Sequence, residues 1–563
     1  MKNFIKLFKK FNIDGYIVPK NDEYFNEYVN PSNDRLKFIS NFTGSAGIAV
    51  IFKNKNYLFV DGRYTIQAQT QSGKKFKIIR IPNQTPKDLI KTGKKIIIGF
   101  DPSLHTEKQL NFFFKIKNVI LRPINKNLVD LVWFNKPKEP IKPFFSLSTR
   151  YTGISYQKKI LKVKNIILKR KVDYLLVTAP ENVAWMLNIR GYDTSYSPIP
   201  NSRLLISDKG KVILFTNLKK LKGELSIKVS IQNEKNLEKK LNYISEKKIW
   251  IDSLSCSFFY KNLIRAKNEI LDKIDPIHFL KSIKNNTEIE NMKKTHLTDG
   301  VALTKFLFWL KRNYKNKQIT EISAQNKLES FRRKSSNYLS PSFNTISGSG
   351  PNGAIIHYKA TKKTNRNLRK GELYLVDSGG QYFFGTTDVT RTVSLENKSK
   401  YIKEIFTRVL KGHIAVSNFK IKKNSTGSQV DRNARKFLKK IKLDYSHGTG
   451  HGVGYFLNVH EGPQSLSSNS KVKLKNGMIL SNEPGYYKEG AFGIRIENLV
   501  YVKRNRFKEL TIAPIEKELI NKNFLNNNEI KWINNYHKNV KNKLFRFMNR
   551  KEKRDLTIAC SPI

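Results

Sequence analysis

Cysteine is nearly absent from this chain: among 563 residues only Cys256 and Cys560 carry a thiol. A disulfide framework is therefore excluded, and a reducing compartment, the cytoplasm, is the expected location. No apolar run approaches the ~18 residues of a helical membrane span, so no membrane partner is expected. The basic, amphipathic start Met1–Phe8 runs straight into the strand Ile13–Val18 without a small-residue cleavage site, and it reads as the first helix of a domain, not a targeting peptide. Acid is the third shortage. Aspartate and glutamate number 45 against 105 lysines and arginines, for a formal net charge of +60. Such a surface attracts phosphates. Lysine, asparagine and isoleucine are nevertheless enriched together from end to end, and no nucleic-acid motif or aromatic-interleaved basic stripe appears, so only weak, salt-sensitive polyanion adhesion is expected and no specific nucleic-acid partner.

The length is too great for one core and predicts about three domains. Residues 1–136 alternate short apolar strands with helical stretches, which argues an α/β domain. The Asp61–Tyr64 and Gly44–Gly47 turns read as structural. Pro137, Pro140 and Pro143 mark a linker. Residues 144–283 repeat the plan, and Val172–Val177 echoes Ile13–Val18, which makes a duplicated domain the expectation. Trp185 in the second copy reads equally as core packing or as a residue near a catalytic mouth. A third domain, 284–510, opens on the capping box Thr287–Glu290 and a long amphipathic helix reaching about Arg312, with His296 as a structural helix residue. Residues 511–563 form a terminal extension.

Against the scarcity of acid, one stretch stands out. Five of the nine histidines lie between His357 and Glu497. Gly371–Asp377 reads as a buried strand ending on a carboxylate, and Gly385–Thr390 as the strand returning from a turn at Gly379-Gly380, which brings Asp377 near Asp388. Met478–Glu483 and Gly493–Glu497 form a second hairpin, whose midpoint at residue 490 sets Glu483 opposite Glu497. Between the hairpins, the glycine alternation in His447–Gly454 argues against a helix, and hence against a helical two-histidine zinc site. In an extended strand His447 and His451 share a face. Four carboxylates and an imidazole converging in an apolar setting would repel unless cations neutralised them, and two divalent ions would balance the charge. An oxygen-rich set with one imidazole and no thiolate suits Mn²⁺, with Zn²⁺ or Co²⁺ as substitutes.

These residues, embedded in VDSGGQYFFGTTDVTRT, HGTGHGVGYFLNVHEGP, SNEPGYY and GIRIENL, resemble the metallopeptidase family with the pita-bread fold, and within it the aminopeptidase P (Xaa-Pro aminopeptidase) group in its long, three-domain form. SGSGPNGAIIHY at 347–358 and the tail segment Lys531–His537 belong to the same resemblance, which covers nearly the whole chain. It implies two α/β creatinase-like domains followed by a pita-bread α+β catalytic domain, and a homodimer. It implies Asp377, Asp388, His451, Glu483 and Glu497 as ligands of two metals, with Asp388 and Glu497 bridging, Asp377 completing one site and His451 with Glu483 the other. A metal pair of this kind can hold a bridging hydroxide as nucleophile and polarise the scissile carbonyl. Glu483 is also a candidate proton shuttle to the leaving nitrogen. His357 and His460 are implied as histidines that contact substrate and stabilise the oxyanion, while His447 either lines the substrate site or only supports its strand. The implied substrates are peptides with Xaa-Pro at the amino end. A prolidase-like dipeptidase is the nearest alternative, disfavoured by the middle domain and tail. A non-catalytic binding protein on the same fold is the other, disfavoured by the intact ligand set.

Overall fold

The computed structural model describes residues 1–563 apart from 91–92, 223–224 and 316–317. The chain divides into two compact units, Met1–Thr149 with Ile154–His278, and Arg150–Gly153 with Phe279–Ile563. Among the described residues no helix is long and apolar enough to cross a membrane.

The first unit holds two six-stranded mixed sheets built alike, strand for strand. In one, Gly15–Pro19 lies between an antiparallel Ile48–Phe52 and a parallel Ile96–Phe100. In the other, Tyr174–Val177 lies between an antiparallel Ser202–Ser207 and a parallel Lys248–Ile251. Each sheet then extends by a parallel strand at either edge. The central strands are buried on both faces, which is why they read as continuous apolar runs without alternation. Trp185 is packed into the second of these domains, with the Lys159 ammonium 4.1 Å from its ring centroid.

The second unit is antiparallel. Its long helix, Asn286–Asn313, is capped by Asn285 and Glu288, two residues ahead of the expected Thr287 and Glu290. The chain is pinned just before it, because Lys284 N donates to Gly477 O and Asn285 Nδ2 to Thr152 O, and that anchoring selects between two capping boxes of equal local merit. His296 is buried on this helix with Nδ1 on the Met292 carbonyl, a structural role. Helix Lys400–Ser417 starts on the Ser399 cap and buries Ile402, Ile405, Phe406, Val409 and Leu410 at helical spacing. Ile533, Tyr536, Val540 and Leu544 from helix Asn527–Leu544 enter the same apolar cluster, so the terminal segment completes this unit's core.

Candidate metal centre

Two ladders supply the acidic side chains. Leu373–Ser378 pairs with Val389–Ser394, placing Thr390 opposite Asp377, and Asp388 stands one residue ahead of the second strand. The reversal is not at Gly379-Gly380. Gly380–Tyr382 continues into the short strand Gly385–Thr386 around a tip at Phe383-Phe384, where Phe384 has φ 73° and Tyr151 stacks on its ring. In the second ladder Asn482 faces Asn498 and Gly485 faces Arg495, so the pairing keeps the register expected from the midpoint at 490. Glu483 and Glu497 occupy the gap between those two stretches of ladder. There Glu483 N donates to Thr449 O and Glu497 N to Thr390 O, each strand turning its hydrogen bonds to a different neighbour.

His451 lies at the middle of Gly450–Gly452, a strand between Glu461–Leu466 and Ile479–Asn482. A Cβ at Gly450 would fall 1.9 Å from the Ser481 carbonyl oxygen, so glycine is what lets this strand lie against the one leading to Glu483. His447 stands outside the strand, contrary to the expected shared extended face. Both imidazoles still reach Glu483, at 3.8 Å from His447 Nδ1 and 3.5 Å from His451 Nε2.

The result is three overlapping groups whose donor atoms lie within 4.8 Å of one another: Asp377, Asp388 and Glu497; His451, Glu483 and Glu497; Asp388, His451 and His460. Their electrostatics fit a cation. Burial, then the charges of Asp388, Glu483 and Asp377, push the Glu497 carboxyl well above its ordinary value. Burial also raises Asp377 to about 6, against the pull of the Arg495 guanidinium. His451 Nδ1 must donate to the Gly452 carbonyl at 2.8 Å, which turns the Nε2 lone pair toward Asp388 Oδ2 at 3.3 Å and Glu483 Oε1. Acceptors facing a lone pair need a cation between them. Burial works against a proton there, yet the hydrogen bond to Asp388 and the charge of Glu483 outweigh it and push the imidazole up to about 9. Asp377 Oδ1 is buried without a partner. Divalent ions held by the overlapping groups would satisfy these atoms, so the donor set fits a metal centre.

Of the remaining expected residues, His460 meets His451 edge to face at 4.3 Å between centroids and belongs to one of the three groups. His357 is half-buried in the turn after Gly350–Ala354 and belongs to none of them. His447 is held neutral, its imidazole lowered to about 4 by burial, with Nδ1 on the Gly448 carbonyl and Nε2 2.8 Å from Tyr487 Oη.

Three supports escaped the sequence reading. Arg495, 2 % exposed, donates to Asp377 Oδ2 at 2.5 Å, to Thr390 Oγ1 at 3.0 Å and to Tyr487 Oη at 2.6 Å. Thr390 Oγ1 in turn donates to Glu497 Oε2 at 2.7 Å. Thr390 carried a legible signal, since it stands two residues from Asp388 on extended chain and so shares its face. The third, Arg391, spends its guanidinium on the Thr390, Glu497, Ala513 and Pro514 carbonyls, Asn498 Oδ1 and Tyr536 Oη, tying helix Asn527–Leu544 to the backbone of Glu497.

Comparison with known proteins agrees with this architecture. Residues 290–504 match the metallopeptidase family M24, residues 1–131 and 135–288 each match a creatinase/prolidase N-terminal domain, and residues 504–563 match the C-terminal region of peptidase M24. A probable Xaa-Pro aminopeptidase P of Coprinopsis cinerea is 37% identical over 95% of this chain and 93% of its own length. Xaa-Pro aminopeptidase 1 of Dictyostelium discoideum is also 37% identical, over 95% and 91%. The crystal structure of X-prolyl aminopeptidase from Caenorhabditis elegans, described as a cytosolic enzyme with a di-nuclear active site, superposes with a TM-score of 0.93 at 30% identity, covering 100% of this chain and 99% of that one. A prolidase from Thermococcus sibiricus reaches a TM-score of 0.53 at 27% identity and covers only 64% of this chain. With paired creatinase-type domains ahead of a pita-bread metallopeptidase domain, and relatives matched over more than nine-tenths of their length, the chain belongs to metallopeptidase family M24, in its Xaa-Pro aminopeptidase branch.

Proposed function

We propose that this protein removes the amino-terminal residue from peptides with proline in second position, using two divalent ions held by Asp377, Asp388, His451, Glu483 and Glu497. The observation that carries the reading is the clustering of four carboxylates and His451 in overlapping donor groups, with His451 Nε2 facing Asp388 and Glu483 and the Arg495 guanidinium fixed on Asp377. Their donor chemistry favours Mn²⁺, with Zn²⁺ or Co²⁺ able to substitute. When bound, such ions supply Lewis acidity to the scissile carbonyl and lower the pKa of a water nucleophile.

The chain's own residues do the rest. Glu483, half-buried and accepting from Ser481 Oγ at 3.0 Å, is the carboxylate assigned to move a proton to the leaving nitrogen. His460 and His357 donate hydrogen bonds to the substrate carbonyl as it becomes an oxyanion. His447 contacts substrate, its ring fixed by Tyr487. Arg495 holds Asp377 in place and offsets the acidity of the site. A proline nitrogen brings no hydrogen to the scissile bond, so selection must come from a pocket shaped to the ring. The division into residues 1–136, 144–283, 284–510 and 511–563, a cytoplasmic location and a homodimer belong to the same proposal, supported by likeness to the long aminopeptidase P form. Sedimentation analysis tests the last.

The deciding experiment strips the protein of metal, refills it with single divalent ions and assays a Xaa-Pro-Yaa tripeptide beside an Xaa-Pro dipeptide. Mn²⁺ is expected to restore cleavage of the tripeptide alone. Cleavage of the dipeptide alone would make the protein a prolidase, and inactivity with every ion would make it a binding protein.

A further inference from the structure

Helix Glu321–Arg332 opens on a carboxylate that lies outside the three metal-competent groups and is nonetheless wholly buried. Burying a carboxylate costs several kcal/mol unless its lone pairs are filled. Here Ser349 N and Asn352 Nδ2 donate to Glu321 Oε1 at 2.7 and 3.0 Å, and Tyr358 Oη and Arg366 N donate to Oε2 at 2.8 and 3.0 Å. That set is about as many donors as a carboxylate can accept. All of them come from one stretch of chain, residues 349–366. The backbone of the same glutamate grips its flanks, because Ser347 Oγ donates to Glu321 O at 2.7 Å and Glu321 N donates to Arg366 O at 2.9 Å. One side chain thus closes the loop on itself.

The loop also leans on the metal centre. Its Gly350–Ala354 turn lies backbone to backbone on strand Phe492–Arg495, so closely that a Cβ on Gly493 would fall 1.8 Å from Gly353 O. Strand Ile346–Ser349, which leads into the loop, sets Ile346 opposite Asp377. Tyr358, whose hydroxyl serves Glu321, packs with Ile346, Leu375 and Tyr487, and Tyr487 is the hydroxyl between Arg495 and His447. His357 is the residue next to Tyr358. Any slack at Glu321 passes through Tyr358 to that imidazole.

We infer that Glu321 is a positioning residue: acting through residues 349–366, it fixes His357 for the peptidase reaction while touching neither metal nor substrate. The inference rests on the peptidase reading above. An inactive wild type refutes that reading, whereas an active wild type indifferent to Glu321 refutes only the inference.

The test compares wild type, Glu321→Gln, Tyr358→Phe, His357→Ala and the two double variants carrying His357→Ala. Glutamine keeps the shape but turns an amide group toward two of the donors. Its kcat/KM is expected to fall by roughly 10- to 10²-fold, the usual effect of a small misplacement of a reacting group. Metal content should stay at the wild-type level, and hydrogen exchange at the Ser349 and Arg366 amides should quicken. With His357 already gone, Glu321→Gln should cost less than about threefold further, because residues acting as one unit are not additive. Equal losses in both backgrounds would mark a general structural role and overturn the inference, as would loss of metal or an unchanged kcat/KM. Should Glu321→Gln fail to fold, Tyr358→Phe removes a single hydroxyl and is judged by the same criteria.

Discussion

Replacing Glu497 by glutamine separates what the carboxylate costs the metal-free fold from what it contributes to metal binding, because the two have opposite signs. Glu497 is 2 % exposed, and burial, then the charges of Asp388, Glu483 and Asp377, lift its carboxyl well above the ordinary 4.5. A carboxylate with a raised folded pKa holds its proton more tightly when folded, so its contribution to stability is present below the unfolded pKa and lost as pH rises through the folded one. At pH 7.5 the unfolded chain has released the proton, and folding must recapture it or bury the charge. Recapture costs about 4 kcal/mol, from 1.36 kcal/mol per pH unit over roughly three units, and this caps the penalty. At pH 5 the same arithmetic leaves only ~0.7 kcal/mol. Glutamine needs no proton, and its carbonyl can still accept from Thr390 Oγ1, now 2.7 Å from Glu497 Oε2. Metal-free Glu497→Gln is therefore expected to exceed wild type in stability at pH 7.5, by up to about 4 kcal/mol, and to match it closely at pH 5. Metal acts in the opposite direction. An ion at a hundred times its Kd stabilises the native state by about 2.7 kcal/mol, and a variant without this carboxylate loses that gain together with turnover. Urea unfolding in chelator and in Mn²⁺ at both pH values, with metal content measured alongside, makes the comparison. A metal-free variant less stable than wild type at pH 7.5, or one that keeps two ions, would refute the reasoning.

His460→Ala should retain both metals and lower the tripeptide rate by ~10²–10³-fold, the usual effect of deleting one oxyanion donor; loss of metal would make His460 a ligand instead. Lys284 and Glu461 form an ion pair whose side chains are each 1% exposed. Lys281 Nζ stands 3.8 Å from the other Glu461 oxygen, so Glu461→Gln, which removes the carboxylate that two buried cations face, should destabilise by about 3–5 kcal/mol in denaturant unfolding, and Lys284→Met by less. His413 is lowered to about 3 by burial, with the nearby Arg391 charge acting the same way. A histidine depressed in the fold contributes stability above its unfolded pKa that is lost as pH falls, here roughly 2 kcal/mol between pH 6.5 and 5. The pH slope of the unfolding free energy over that interval should be shallower in His413→Asn than in wild type, and an unchanged slope would refute it.

The second hairpin was legible because its register follows from one midpoint: the ladders on either side of the gap at Glu483 and Glu497 are both centred on residue 490. The first hairpin was misread because glycine has two uses that look identical in a sequence. Gly379 is required by a close approach, since a Cβ there would lie 1.9 Å from the Thr387 carbonyl oxygen, and not by a turn. Nothing local distinguishes those cases; the partner strand does. The capping box slipped by two residues for a related reason, two local solutions being separated only by the anchoring of Lys284 and Asn285. Arg495 was hidden by its own abundance. In a chain with 105 basic residues a single arginine carries little information, whereas in a chain with only 45 acidic ones a convergence of carboxylates carries a great deal. The composition thus exposed the ligands and concealed the residues that hold them. Arg391 shows the same limit at longer range: its partners come from residues 498, 513, 514 and 536, and no spacing rule joins them. Because one of those partners is Tyr536, helix Asn527–Leu544 bears on the backbone at Glu497 through a buried cation, and a substitution there will reach the metal centre without touching it.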